Sequence, residues 1–206
     1  MPARSNLRIQ TLTGPALAAC LPDVARLRIE VFRAWPYLYD GTLAYEQNYL
    51  ADFATAENAI IVAAFHGDRV VGAATGAPLG GHTAEFVPLL ESQGYDPEHI
   101  FYCGESVLLP QYRGTGIGRA FFDHREAHAR RCAGPSGSFS HIAFCSVVRI
   151  PEDPRRPPDY IPLDAFWRKR GYVPVPGLIG TYRWREIGSN QEREKPMQFW
   201  MRALTP

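Results

Sequence analysis

Residues 100–120, IFYCGESVLLPQYRGTGIGRA, constrain the fold more than any other stretch. Ile100, Phe101, Tyr102 and Cys103, then Val107, Leu108 and Leu109, form apolar runs on either side of a short polar break, the pattern of a strand. Pro110 has no N–H to donate and stops the ladder. Gly114, Gly116 and Gly118 then fall in one short turn, after which Ile117, Ala120, Phe121 and Phe122 mark the apolar side of a helix. Strand, glycine turn and helix together suit a phosphate. The glycines admit a close ligand, the first helical N–H groups point at it, and the helix dipole favours its charge.

Two familiar phosphate loops do not fit. A Walker A loop ends in Gly-Lys-Ser/Thr, which the chain lacks, and a dinucleotide fingerprint needs glycine where Arg119 stands. Composition narrows the field further. A chain of 206 residues supports one sizeable core, so residues 1–206 are expected to form a single domain. A formal net charge of +1 offers no bulk attraction for nucleic acid or an anionic membrane. No apolar run has the length of a membrane span, and residues 1–10 lack the apolar core of a leader. Cys20, Cys103, Cys132 and Cys145 show no C-x-x-C spacing, which suggests reduced core thiols and a cytoplasmic protein.

Along the chain, residues 7–12 alternate as a half-buried strand, and residues 23–34 carry a helical stripe through Val24, Leu27 and Val31. An aromatic loop with one carboxylate follows, including Tyr37, Tyr39 and Asp40, and then a helix over 43–53. Residues 58–65 and 69–77 read as a hairpin, and residues 83–93 as a short helix stopped by Gly94. A helix is expected over 116–132, a small-residue loop over 133–140 and a strand over 141–148. The proline-rich stretch 149–162 excludes a regular element. A short helix over 163–171, strands over 172–175 and 178–185, an exposed polar stretch over 186–196 and a last strand over 197–204 complete the chain. That last strand reads as exposed, an edge through which two copies would pair as a homodimer.

Gln111-Tyr112-Arg113-Gly114-Thr115-Gly116 matches Q/R-x-x-G-x-G/A, and the chain resembles the GNAT superfamily of acyl-CoA-dependent N-acyltransferases. Phe166-Trp167-Arg168-Lys169-Arg170-Gly171-Tyr172 is similar to the family's later motif, an aromatic-rich helix closed by Gly-Phe/Tyr. The order of elements agrees along nearly the whole chain. The resemblance implies a mixed α/β fold: a central, mostly antiparallel twisted sheet with flanking helices, in which residues 100–109 and 141–148 splay apart for CoA. It implies acetyl-CoA as co-substrate. Backbone groups of Val107 and Leu109 would pair with the pantetheine arm, and Gln111, Arg113, Gly114, Thr115, Gly116, Gly118 and Arg119 would wrap the pyrophosphate.

Acyl transfer to an amine needs a neutral amine, a polarised thioester carbonyl and a proton for the leaving thiolate. Glu105 is the candidate base, a carboxylate in an otherwise apolar strand where burial raises basicity; the bland reading pairs it with an arginine at a sheet edge. Ser106 alternates to the other face as a water-holding candidate. Trp167 stands where the family often has a tyrosine, and an indole N–H gives up no proton at useful pH. Tyr160 is taken as the candidate acid, with Tyr172 and Cys145 beside it. Tyr37, Tyr39 and Asp40 suit a cationic small-molecule or peptide amine. His124 and His128 stand four apart without a third ligand, so no metal is assigned. Arg155, Arg156 and residues 168–170 either contact the adenosine phosphate or form a solvated basic face. The expected reaction is direct attack of a primary amine on acetyl-CoA; the alternative is an inactive acyl-CoA-binding sensor or interaction domain.

Overall fold

The computed structural model describes residues 6–81, 83–134 and 136–204; Met1 to Ser5, the start of the stretch read for a leader, lie outside them. The alternating first segment forms β1 (Leu7–Leu12), followed by α1 (Gly14–Phe32) and α2 (Leu43–Thr55). α1 begins well before Asp23, because Pro15 sits in the first turn, where no N–H partner is needed, and Leu17 and Cys20 extend its buried stripe. Thr42 caps α2, its hydroxyl accepting from the Tyr45 N–H at 3.3 Å. The hairpin appears as β2 (Ile60–His66) and β3 (Arg69–Pro78), and Gly94, at φ 80°, follows the short helix α3 (Val87–Ser92).

The central strand is two pieces, β4 (Ile100–Tyr102) and β5 (Ser106–Leu108), and α4 (Ile117–Arg131) follows the glycine turn. A two-residue ladder of β6 (Ala133–Gly134) and β7 (Gly137–Ser138) leads into β8 (His141–Val147). α5 (Asp164–Lys169), β9 (Val173–Arg185) and β10 (Glu192–Ala203) complete the chain. The fold is mixed α/β. Its main sheet runs β1-β2-β3-β4-β8-β10-β9, with β5 also on β3, and every pairing is antiparallel except β4 with β8. Among the described residues no helix is long and apolar enough to cross a membrane.

Three expectations for the end of the chain need correction. Residues 172–175 and 178–185 belong to one strand, β9. Residues 186–196 are not a uniformly exposed stretch, since Glu186 is buried and β10 starts at Glu192. Residues 197–204 are not an exposed edge, because β10 lies between β8 and β9, and that strand is unavailable for pairing with a second copy. Sheet order depends on long-range partners, which alternation within a strand does not encode.

The break between β4 and β5 is a bulge. Tyr102 faces Ala77 and Ser106 faces Ala74, so one strand advances by four residues while β3 advances by three. Gly104 suits the crowded spot, since a Cβ there would lie 2.8 Å from Thr75 Oγ1. Thr75 binds the bulge twice: its N–H donates to the Glu105 carbonyl at 3.1 Å, and its hydroxyl accepts from the Glu105 N–H at 3.2 Å. Arg125 of α4, 1 % exposed, locks it from the other side. Its guanidinium donates to the carbonyls of Thr75 and Glu105 at 3.1 Å each, to Phe121 O at 3.2 Å and to Ser106 Oγ at 2.9 Å. Nearby, Glu126 accepts from Arg170, Arg202 and Tyr172, joining α4, α5 and β10.

Arg125→Met keeps bulk but leaves the carbonyls at the bulge without their donor. It is expected to destabilise the fold by about 3–5 kcal/mol, read as a lower urea midpoint at unchanged slope. A loss under about 1 kcal/mol would show that the bulge holds without it.

Candidate active site

The glycine turn follows a single 3₁₀ turn at Pro110–Tyr112. Gly114 and Gly116 have φ of 75° and 94°, the left-handed region that favours glycine, and Gly116 caps α4. The Thr115 hydroxyl donates to Tyr112 O at 2.6 Å, and the Tyr112 hydroxyl is in turn paired with His66 Nδ1 at 2.8 Å. The N–H groups of Gly114, Thr115, Gly116 and Gly118 have no backbone acceptor among the described residues. A Cβ added at Gly114, Gly116 or Gly118 would meet no heavy atom within 4 Å. Open space, free N–H groups and a helix start fit the pyrophosphate of a CoA ester. Gln111, Arg113 and Arg119 are exposed around this turn.

Beside the turn the sheet forks. β4 pairs with β8 as far as Tyr102 and Ala143, and the Cys103 N–H donates to Ala143 O at 2.8 Å. Beyond it, β5 pairs with β3 alone while β8 pairs with β10. The residues expected to meet the pantetheine arm need correction. Leu109 donates to Val71 O, Thr75 donates to Glu105 O, and Val107 lies opposite Ala73, so the odd-numbered backbone groups face β3. The Leu109 carbonyl also accepts from Tyr112 N–H. By alternation it is Ser106 and Leu108 whose backbone groups face the fork.

A pocket of about 90 Å³ opens at this fork, where Tyr102, Gly104 and Cys145 line it. Its walls are aromatic: Tyr37 and Tyr39 from the loop before α2, Tyr45 and Tyr49 from α2, Tyr182 and Trp184 from β9. Arg28 of α1 also lines it, with its guanidinium 4.3 Å from the Tyr49 ring centroid. Arg28 Nε donates to Glu46 and Nη1 donates to Glu105, both at 2.5 Å. Tyr39 OH donates to the other Glu46 oxygen at 2.7 Å. Both carboxyl groups are buried, and the two share the one guanidinium. Burial opposes the Arg28 charge, but the fields of Glu105 and Glu46 overcome it and raise its pKa. Burial raises the pKa of the Tyr37, Tyr49, Tyr102 and Tyr182 phenols, which stay protonated at neutral pH.

Glu105 therefore sits in the environment of its bland reading, an ion pair with arginine, rather than in the apolar surroundings expected of a base, and it is not part of the pocket lining. Sequence reasoning missed Arg28 and Glu46, polar residues of α1 and α2 whose partners lie far along the chain. The remaining candidates are dispersed. Asp40 pairs with Arg185 at 3.0 Å and Arg33 at 3.7 Å and is not part of the pocket lining. Tyr160 stands edge-on to Trp35, also outside the lining. Ser106 Oγ is held by Arg125, and Tyr172 by Glu126. Trp167 packs against Phe144 and Trp200, with ring centroids 5.0 Å away in each case. His124 bonds Thr11, and His128 bonds Asn58 O and Cys132. Arg170 is spent on Asp123 and Glu126, and Arg155 on Asp153 and Glu186.

Against known proteins the fold is a common one. The chain superposes on ribosomal-protein-alanine N-acetyltransferase from Brucella melitensis with a TM-score of 0.58 at 15% identity, covering 96% of this chain and 99% of that one. An N-acetyltransferase from Staphylococcus aureus Mu50 gives 0.59 at 12% identity over 98% and 100%. The yncA protein of Salmonella typhimurium, solved with its cofactor acetyl-CoA, gives 0.60 at 11% identity over 98% and 95%. Curated protein sequences return no significant match. At these identities the superpositions establish the fold alone. The Acetyltransferase (GNAT) family description, however, matches residues 24–144, more than half the chain and including the glycine turn, the bulge and most of the helices around them. The chain belongs to the GNAT acetyltransferase family.

Proposed function

We propose that this protein transfers the acetyl group of acetyl-CoA to a primary amine seated in the aromatic pocket. The supporting observation is that the pocket and the strand fork meet at Tyr102, Gly104 and Cys145, beside the glycine turn. When bound, acetyl-CoA supplies the activated acetyl thioester. Gly114, Thr115, Gly116 and Gly118 hold its pyrophosphate with Gln111, Arg113 and Arg119 around them, and Ser106 and Leu108 pair with its arm. The aromatic walls orient a cationic or neutral amine. Glu105, next to Gly104 in the chain though outside the lining, is assigned the amine proton at Oε1, since Oε2 is occupied by Arg28. The buried, protonated phenols of Tyr102 and Tyr182 supply donors inside the pocket, where the sequence pointed to Tyr160 instead. The four cysteines are free thiols, which supports a reducing, cytoplasmic setting.

Calorimetric titration tests this reading. Wild type is expected to bind acetyl-CoA and free CoA. Gly118→Trp, which fills the open cradle outside the left-handed region, is expected to lose about tenfold or more in affinity. The absence of wild-type binding at millimolar ligand would overturn the proposal. Once an acceptor is in hand, Glu105→Gln should lower kcat by about 10²–10⁴-fold with CoA affinity retained. Unchanged turnover would remove Glu105 from proton transfer.

A further inference from the structure

A second, larger pocket of about 630 Å³ lies at the turn between β9 and β10. Arg149, Arg155, Arg193 and Lys195 line it around the carboxylate of Glu186. Glu186 is 8 % exposed and is held by Arg149 and Arg155 at 2.6 Å and by Lys195 at 3.2 Å. Asp153, just outside the lining, takes Arg155 at 2.6 Å. Burial alone would raise the Glu186 carboxyl, but its bonds from Arg155, Arg149 and Lys195 bring it down to about 2, so it stays ionised. Four cations then face two carboxylates, a standing excess of positive charge in a concave site. Arg193 is exposed and has no ion pair among the described residues, so its guanidinium fork is free. Lys195 has donors left over from Glu186. Concave, cationic surfaces with unspent donors attract oxyanions.

This pocket shares a wall with the aromatic one. Lys195 Nζ stands 5.9 Å from the ring centroid of Trp184, which lines the aromatic pocket. Trp184 Nε1 and Arg149 both donate to the Tyr37 carbonyl, at 3.0 and 3.1 Å. The aromatic site therefore adjoins a site with surplus positive charge across Tyr37 and Trp184.

We propose that the second pocket binds carboxylate or phosphate groups of the acceptor, so that the acceptor is a primary amine bearing acidic groups a short span away. This rests on reading the aromatic pocket as the amine site. The test is binding of four-residue peptides with free amino termini: glycine followed by three glutamates, by three phosphoserines or by three glutamines. At low salt the glutamate or phosphoserine peptide should bind wild type about tenfold or more tightly than the glutamine peptide, and the stronger of the two names the group. The preference should fall to about threefold or less in Arg193→Glu and in Lys195→Met, with acetyl-CoA affinity kept in both and melting temperature kept in Arg193→Glu. Arg193 has no partner to lose, so its variant separates charge from folding. Equal affinity for acidic and neutral peptides, or a preference unmoved by both variants, would overturn the proposal. An acidic preference that depends on Arg193 in a protein that binds no acetyl-CoA would support the pocket and contradict the acetyltransferase reading instead.

Discussion

The structure depends on a buried guanidinium placed where the sheet breaks. Arg125 has no carboxylate within ion-pair distance among the described residues; its charge is met by three carbonyls, one hydroxyl and the face of Phe122 at 4.8 Å. A buried cation is costly unless its donors are satisfied. Here that satisfaction has a shape, because two of the carbonyls, Thr75 and Glu105, lie across the bulge from each other. The extra residue that separates β4 from β5 is pinned to β3 and to α4 together. From that point β8 is left to β10, and the fork between β5 and β8 follows.

Three buried carboxylates, Glu46, Glu126 and Glu186, act as tethers as well. Glu46, with Arg28 and Glu105, ties α1 and α2 to the bulge. Glu126 ties α4 to α5 and β10, and Glu186 ties the last hairpin to the 149–155 loop. Breaking one partner of such a pair strands a charge in low dielectric, so these contacts fix relative position more than they add net stability. The elements fixed by Glu46 and Glu186 are among those that surround the aromatic pocket and the cationic pocket beside it. Aromatic rings dominate the first and cations outnumber carboxylates in the second, and that difference is what the two pockets offer a ligand.

Much of this was legible in the chain. Two glycines at left-handed φ and the helix start after them follow from Gly-Thr-Gly-Ile-Gly, because few other residues adopt that backbone. The element order followed from local periodicity. Arg125 left a signal that was not used: it stands four residues after Phe121 and eight after Ile117, on the apolar stripe of α4. The phase of β5 was not legible, since a bulge shifts which backbone groups face outward without changing the apolar run; hence Val107 and Leu109 were named where Ser106 and Leu108 face the fork. Arg28, Glu46 and Glu186 read locally as solvated residues because their partners come from distant segments. The interior position of β10 was hidden for the same reason.

The central claim is that the fork at the bulge receives the cofactor along β5. Backbone amide NMR during titration with acetyl-CoA tests it most directly. The account predicts that the amide resonances of Ser106, Leu108, Gly114, Thr115, Gly116 and Gly118 shift together on binding, while Val107 and Leu109, turned to β3, move far less. Shifts centred on Val107 and Leu109, or confined to residues away from the fork and the glycine turn, would contradict it.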